Sequence, residues 1–175
     1  FLTLLPFLIV LFFVLCYHIF MKGLKDIINI LIVSLDDKFS KLVSETLSSQ
    51  LEMFNADCRD LIIYDLVNPK EILEKCGFEY LKKRELGVIK STSSYQDTVI
   101  SISYDLYKEH YLLFSHSLIV YLRLPKEKVR GVANSISYQS RDEFLASNND
   151  IELYFERKSK LNATKQIIEK LGELK

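Results

Sequence analysis

The sequence contains little glycine. Only 5 of its 175 residues are glycine, whereas average usage near 7% would give about twelve. No glycine lies between Gly87 and Gly131. A function that depends on a glycine-rich loop, such as a backbone cradle around a phosphate group, is therefore disfavoured before any motif is considered.

Metal sites, disulfide frameworks and strongly basic surfaces are also disfavoured. Cys16, Cys58 and Cys76 form no C-x-x-C pair, and the three histidines are dispersed along the chain. Neither pattern predicts a zinc site or a disulfide-linked fold. Lys and Arg total 23, as do Asp and Glu. This balance argues against a nucleic-acid-binding protein.

One long uncharged segment is present at residues 1–20, FLTLLPFLIVLFFVLCYHIF. A helix of this length would cross a hydrocarbon layer of about 30 Å. The first charges, Lys22 and Lys25, follow it, so an anchored chain would place the remainder in the cytoplasm. A cleaved signal peptide fits less well, because no basic residues precede the segment and no A-x-A site follows. Two interpretations stay open: a transmembrane anchor over 1–20, or an extension ahead of a natural start at Met21.

From residue 21 onward, strand patterns alternate with helical patterns. Apolar, β-branched stretches predict buried strands over residues 27–33, 98–102 and 118–122. Helices are predicted after Asp36 or Asp37, over 58–66, 69–90 and 106–114, from Pro125, and twice near the C-terminus, and a loop is predicted over 137–149. Strands separated by helices indicate one α/β domain over 21–175, a three-layer parallel sheet with helices on both faces.

The loop after the first predicted strand is the natural ligand site of such a fold, because helix amides point outward there. A phosphate-binding loop would read G-x-x-x-x-G-K-[ST]. The chain has SLDDKFSK at residues 34–41, with Ser34 and Phe39 in the two glycine places and Ser40 in the lysine place. The residues of this degenerate loop taken as site candidates are Ser34, Asp36, Asp37, Lys38, Ser40 and Lys41.

Several stretches resemble the shikimate kinases, which are small P-loop kinases of the nucleoside monophosphate kinase type. The apolar positions of residues 27–51 match the opening strand, loop and helix of that family. GFEYLKKRE at 77–85 is similar to G-E-x-x-F-R-x-x-E, and LIVYLRLPKEKV at 118–129 is similar to the strand "VVYL" and the helix after it. The resemblance runs from about residue 27 to the end, and it implies a P-loop kinase fold with ATP, Mg²⁺ and shikimate as ligands.

The resemblance also implies substrate-binding residues. Lys82 stands at the position of the shikimate-binding arginine of the family, and Arg141 in RDEFL matches the lid arginine that approaches ATP. Arg157 matches a second substrate-binding arginine, in a segment that the family follows with a short strand. We find no such strand after Arg157 in this sequence. Lys82, Arg157 and Arg141 are therefore expected to contact shikimate or a related small anion.

The departures from the family concern its catalytic parts. The D-x-D motif of the family falls on Ala56 and Cys58, and its triple glycine falls near residues 103–105. At the loop, Phe39 adds bulk where the phosphate approaches closest, and Asp36 and Asp37 add charge that repels a triphosphate.

The sequence therefore predicts a degenerate shikimate kinase-like protein that serves as a non-catalytic binding or regulatory module. No catalytic residue, metal or cofactor is assigned. The alternative is an active or weakly active shikimate kinase that transfers the γ-phosphate of ATP to shikimate, with ATP and Mg²⁺ as cofactors and Lys38 or Lys41 supplying the missing charge. A third hypothesis is a membrane-anchored structural protein.

Overall fold

A computed structural model describes residues 29–129 and 135–174. Its strands are β1 Asn29–Val33, β2 Phe54–Asp57, β3 Thr98–Ile102, β4 Leu118–Arg123 and β5 Ile151–Tyr154. All neighbouring strands pair in parallel, in the order β2-β3-β1-β4-β5. The predicted α/β fold with a parallel sheet is confirmed.

Helices connect the strands. They are α1 Asp37–Leu51, α2 Cys58–Leu66, α3 Pro69–Cys76, α4 Phe78–Ser93, α5 Tyr104–His110, α6 Ser135–Ser147 and α7 Lys160–Glu173, with 3-10 turns at Tyr111–Phe114 and Lys126–Lys128. The apolar segment at 1–20, a helix in our prediction, and the domain boundary near Met21 lie outside the described residues. Within the described ranges, no helix combines the length and apolar character needed to cross a membrane.

The core forms around the two central strands. Every residue of β1 and β3 is buried, so both faces of the sheet are covered there. β-Branched and apolar side chains dominate both strands, as a doubly covered parallel strand requires. The predicted stripe of Val43, Leu47 and Leu51 on α1 is buried as well, and each such side chain contributes about 1.5–3 kcal/mol when removed from water.

The structure corrects the helix predictions at three places. The predicted helix over 69–90 is two helices, because Gly77 adopts φ 82°, a conformation that favours glycine. The helix expected over 106–114 begins earlier, at Tyr104, and ends in a 3-10 turn. After Pro125 the described residues form only the 3-10 turn Lys126–Lys128.

Two further predictions near the C-terminus are wrong. Residues 137–149, expected to be a loop, lie mostly in α6. Where two helical stretches were expected after residue 149, the structure has the strand β5 and the helix α7, and within the described residues no strand follows Arg157. β5 alternates buried Ile151 and Leu153 with exposed neighbours, which is the pattern of a strand covered on one face.

Candidate functional site

The loop between β1 and α1 has three residues, Ser34 to Asp36, and it is closed by its own side chains. Ser34 is fully buried, and its Oγ donates to the backbone oxygen of Leu122 on β4 at 2.8 Å. The same Oγ accepts the N–H of Asp36 at 3.2 Å. A buried hydrogen bond therefore ties this loop to the neighbouring strand.

The carboxylate of Asp36 occupies the first turn of α1. Its Oδ1 accepts the N–H of Phe39 at 2.8 Å, which makes Asp36 the helix N-cap. Its Oδ2 accepts from Nζ of Lys158 at 2.5 Å, and the residue is only 7% exposed. Helix N-termini attract anions, and here the protein supplies that anion itself.

The other candidates of this loop are also engaged, with one exception. Ser40 is buried and its Oγ donates to the backbone oxygen of Asp37 at 2.9 Å. Lys41 forms an ion pair with Asp60 on α2. Lys38 is exposed and has no side-chain partner among the described residues. As far as the described residues go, the loop therefore offers a ligand one unpaired ammonium group.

A shallow hollow lies where the carboxyl ends of β1, β2 and β3 meet. Its volume is about 230 Å³, which is below the 300–1,000 Å³ typical of small-molecule sites. Asp37 and Arg59 both line it and form an ion pair at 2.8 Å. Burial raises the pKa of Asp37, and the charges of Asp105 and Asp36 act in the same direction, against Arg59. Three cationic and three anionic side chains line the hollow, so it has no net charge.

Asp57 lies at the same edge and serves a structural purpose. Its Oδ1 accepts the N–H of Asp60 at 2.9 Å and caps α2, while its Oδ2 accepts from Oγ of Ser101 at 2.6 Å. In the ranges that the structure describes, no group of three or more His, Cys, Asp or Glu residues is arranged to hold a metal ion.

A second hollow, of about 320 Å³, lies between the start of α1 and the loop that joins β5 to α7. Asp36, Lys38, Lys158 and Lys160 are among its lining residues. Three ammonium groups thus face one carboxylate, so this hollow has a net positive charge. Lys38 lines both hollows.

Arg141 reaches the carboxyl edge of the sheet from α6. Its guanidinium carbon lies 4.7 Å from the ring centroid of Tyr104. Its Nη2 lies 3.7 Å from Oδ1 of Asp105. Tyr104 and Asp105 open α5 just after β3, where the triple glycine of the resembling family was expected. A cation held over an aromatic face is positioned yet keeps most of its donors available.

Lys82 is held between two carboxylates. Its Nζ lies 3.1 Å from Oε2 of Glu85 and 3.3 Å from Oε2 of Glu109. The hydrogen bond to Glu85, followed by that to Glu109, raises the pKa of Lys82. Asp105 and Glu109 are four residues apart on α5, so they lie on one face of that helix. The structure therefore brings Lys82 and Arg141 to the same side of α5.

Arg157 lies apart from the other two cations. It is exposed in the bend after β5 and has no side-chain partner among the described residues. The resemblance placed this arginine before the last strand, but the arginine that precedes β5 on α6 is Arg141. Sequence reasoning missed Lys158 and Tyr104; the four-residue spacing of Asp105 and Glu109 was the available signal for the α5 cluster.

The described fold is similar to solved shikimate kinase structures. The shikimate kinase of Aquifex aeolicus superposes with a TM-score of 0.66 at 21% identity, covering 82% of this chain and 95% of that one. The shikimate kinase of Acinetobacter baumannii, solved in complex with shikimate, gives 0.67 at 18% identity over 89% and 98% of the two chains. That of Bacteroides thetaiotaomicron gives 0.63 at 11% identity over 83% and 98%.

No family model matches the sequence, and no curated protein is significantly similar to it. The structural comparisons therefore show a shikimate kinase-like P-loop kinase fold at low sequence identity.

Proposed function

We propose that this chain is a non-catalytic relative of the shikimate kinases that binds a small carboxylate-bearing anion. One observation carries the proposal: the carboxylate of Asp36 accepts a first-turn amide of α1 and pairs with Lys158. An internal anion thus stands where a kinase of this fold would hold the phosphates of its nucleotide.

The chemistry of phosphoryl transfer supports the absence of catalysis. That reaction depends on loop amides, a lysine and Mg²⁺ that neutralise charge on the transferred group. In this chain Ser40 stands in the lysine place and bonds its own helix, and Lys41 pairs with Asp60. A nucleotide would have to displace Asp36 and break two interactions that the fold makes without it.

Arg141 supports the binding of a small anion. It lies at the carboxyl edge of the sheet, where ligands of open α/β folds bind, and Asp105 at 3.7 Å engages it only loosely. Arginine can present two parallel donors to one carboxylate. Shikimate, the ligand of the related Acinetobacter structure, carries such a carboxylate and is the first compound to test.

Calorimetric titration tests the proposal. The full chain would be kept in a mild nonionic detergent, because of the uncharged segment at 1–20, and titrated separately with shikimate and with MgATP. We expect saturable heat with shikimate and none with MgATP. Arg141→Ala removes the heat of shikimate binding. Arg157→Ala, which alters an exposed arginine with no partner in the described part of the chain, leaves that heat unchanged. Binding of MgATP, or an absence of shikimate binding, would overturn the proposal.

A weakly active shikimate kinase is the second candidate function, and Lys38 is the observation that favours it. This lysine is unpaired among the described residues and lines both hollows near α1. In that case ATP and shikimate give ADP and a phosphate ester of shikimate. Lys38→Ala lowers the rate at least tenfold, whereas Lys70→Ala on α3 leaves it unchanged. Phosphorus NMR of the full chain with both substrates measures this directly.

A further inference from the structure

A separate groove lies between α2 and α4. Its volume is about 620 Å³, which falls within the range of small-molecule sites and exceeds that of both hollows near α1. Leu61 of α2 and Val88 of α4 contribute apolar surface to it. None of its lining residues belongs to the site proposed above, so the inference is independent of that function.

Three exposed tyrosines line this groove. Tyr64 is 84% exposed, Tyr80 is 46% exposed and Tyr95 is 40% exposed. Within the described residues, none of the three forms an aromatic pair or a side-chain hydrogen bond. Exposed aromatic rings that combine an apolar face with a polar end are typical of recognition surfaces.

The charge of the groove is positive. Arg84 on α4 pairs with Asp65 on α2 at 2.8 Å, which links the two helices. Lys83 beside it is exposed and has no partner among the described residues. Two cations therefore face one carboxylate, and an anion entering the groove would gain a charge-assisted contact.

Gly87 makes one wall of the groove flat. It lies inside the 16-residue helix α4, and a Cβ built on it would meet no atom within 4 Å. Glycine inside a helix is less favourable than alanine, and nothing within the described chain requires it here. Its position leaves room for a ring to approach the helix backbone.

We infer that this groove binds a planar aromatic carboxylate. The ring lies against Gly87 among the three tyrosines, and the carboxylate contacts Lys83 and the free donors of Arg84. The exposed tyrosine rings of the groove favour an aromatic ligand, and its excess positive charge favours an anionic one.

The probe is 1-naphthoate, compared with 1-naphthylmethylamine, which has the same ring and the opposite charge, and with acetate, which has no ring. The full chain is titrated in the detergent used above, with naphthyl fluorescence as the signal for the two aromatic probes and calorimetry for acetate. We expect saturable binding of 1-naphthoate, at least tenfold weaker binding of the amine, and no saturable binding of acetate.

Three variants locate the binding. Gly87→Leu fills the open space beside α4, improves helix propensity, and abolishes binding of 1-naphthoate. Lys83→Glu weakens it at least tenfold. Ser49→Leu places a leucine on an exposed position of α1 and leaves the binding of 1-naphthoate unchanged. This variant also controls for partition of the probe into detergent.

Three outcomes overturn the inference. They are equal affinity for the two naphthyl probes, normal binding to Gly87→Leu, and absence of saturable binding. If the chain sediments as a dimer that Gly87→Leu dissociates while 1-naphthoate fails to bind, the groove is an interface between copies and the ligand assignment is wrong. Shikimate titration of Gly87→Leu separates this result from the function proposed above, because that variant retains the heat of shikimate binding.

Discussion

Nζ of Lys158 donates to Oδ2 of Asp36 at 2.5 Å, across 122 positions of sequence. Oδ1 of the same carboxylate accepts the N–H of Phe39 at 2.8 Å. The pair therefore joins the loop after β5 to the first turn of α1, and the carboxylate neutralises the N-terminal end of that helix. Removing the carboxylate should change both the stability of the chain and its affinity for anions.

Asp36→Ala should destabilise the fold and open an anion site. Loss of the N-cap lowers the free energy of unfolding by about 1 kcal/mol. Inorganic phosphate should then raise the melting temperature of the variant, because it can take the vacated place between the Phe39 amide and Lys158. Asp36→Asn, which can still cap the helix, should lose less stability. An equal phosphate response in the unaltered chain would contradict the prediction.

Asp142→Ala should be strongly destabilising. This carboxylate is 5% exposed, accepts from the hydroxyl of Tyr121 at 2.6 Å and accepts from Nη2 of Arg123 at 2.5 Å. Its removal leaves a buried hydroxyl without a partner and a cation without its main counterion, and should lower the free energy of unfolding by about 3 kcal/mol.

Urea denaturation of Asp142→Ala would be compared with that of Glu152→Ala. Glu152 contacts the other side of Arg123, at 2.9 Å, but is partly exposed, so its loss should change stability by at most about 1 kcal/mol. Similar losses for the two variants would show that burial of Asp142 is not what makes its contacts important.

The fold should lose stability in alkali partly through Tyr107. Its hydroxyl donates to the backbone oxygen of Asn148 at 2.5 Å, and burial raises its pKa from 10.0 to about 12. A raised pKa in the folded state means that this contribution is complete below pH 10.0 and is lost as the pH rises toward 12. The free energy of unfolding should fall there by up to about 1.4 kcal/mol per pH unit from this group.

Urea denaturation between pH 7 and pH 11.5 measures this slope (roughly the window that linkage sets). Tyr107→Phe should flatten it without abolishing it, because burial also raises the pKa of Tyr121. Near neutral pH the phenol is uncharged in both the folded and the unfolded state. The difference in free energy of unfolding between the unaltered chain and Tyr107→Phe should therefore not change with pH there. An unchanged alkaline slope in Tyr107→Phe would refute the prediction.

Val67→Gly should stabilise the fold. Val67 ends α2 with φ 54°, a conformation that β-branched residues rarely adopt, and its side chain is 85% exposed. Glycine relieves this strain without loss of packing, so the free energy of unfolding should rise by about 1 kcal/mol. Val67→Ala keeps a Cβ and should gain less. A lower melting temperature for Val67→Gly than for the unaltered chain would contradict the prediction that the backbone is strained at Val67.

The sequence was most informative where burial is complete. β1, β3 and β4 are apolar, β-branched stretches, and their positions were predicted because both faces of a central strand must be apolar. β2 and β5 lie at the edges of the sheet and mix polar with apolar residues. β5 has only four residues, with Ile151 and Leu153 buried, so its alternation is too short to separate from a loop.

α6 and the candidate site depended on contacts between distant residues. α6 was predicted as a loop because its sequence is polar. One of its buried residues, Asp142, is paired with Tyr121 and Arg123 on β4, and periodicity does not reveal such a pairing. Likewise, the ion pair of Asp36 and Lys158 cannot be predicted without β5, because Lys158 lies in the loop that follows this strand. The sequence does not reveal β5, so the resemblance assigns the arginine before the last strand to Arg157, whereas Arg141 precedes β5 in the structure.

The strand order has a consequence for synthesis of the chain. β1 pairs with β3 and β4, so its five buried residues lack one neighbouring strand until Arg123 has been made. At the usual pace of translation, the intervening 90 residues take roughly 5 to 20 seconds. During that interval NILIV is an unpaired apolar edge open to intermolecular pairing. Cellular yield of this protein should therefore depend on chaperones that shield a nascent chain.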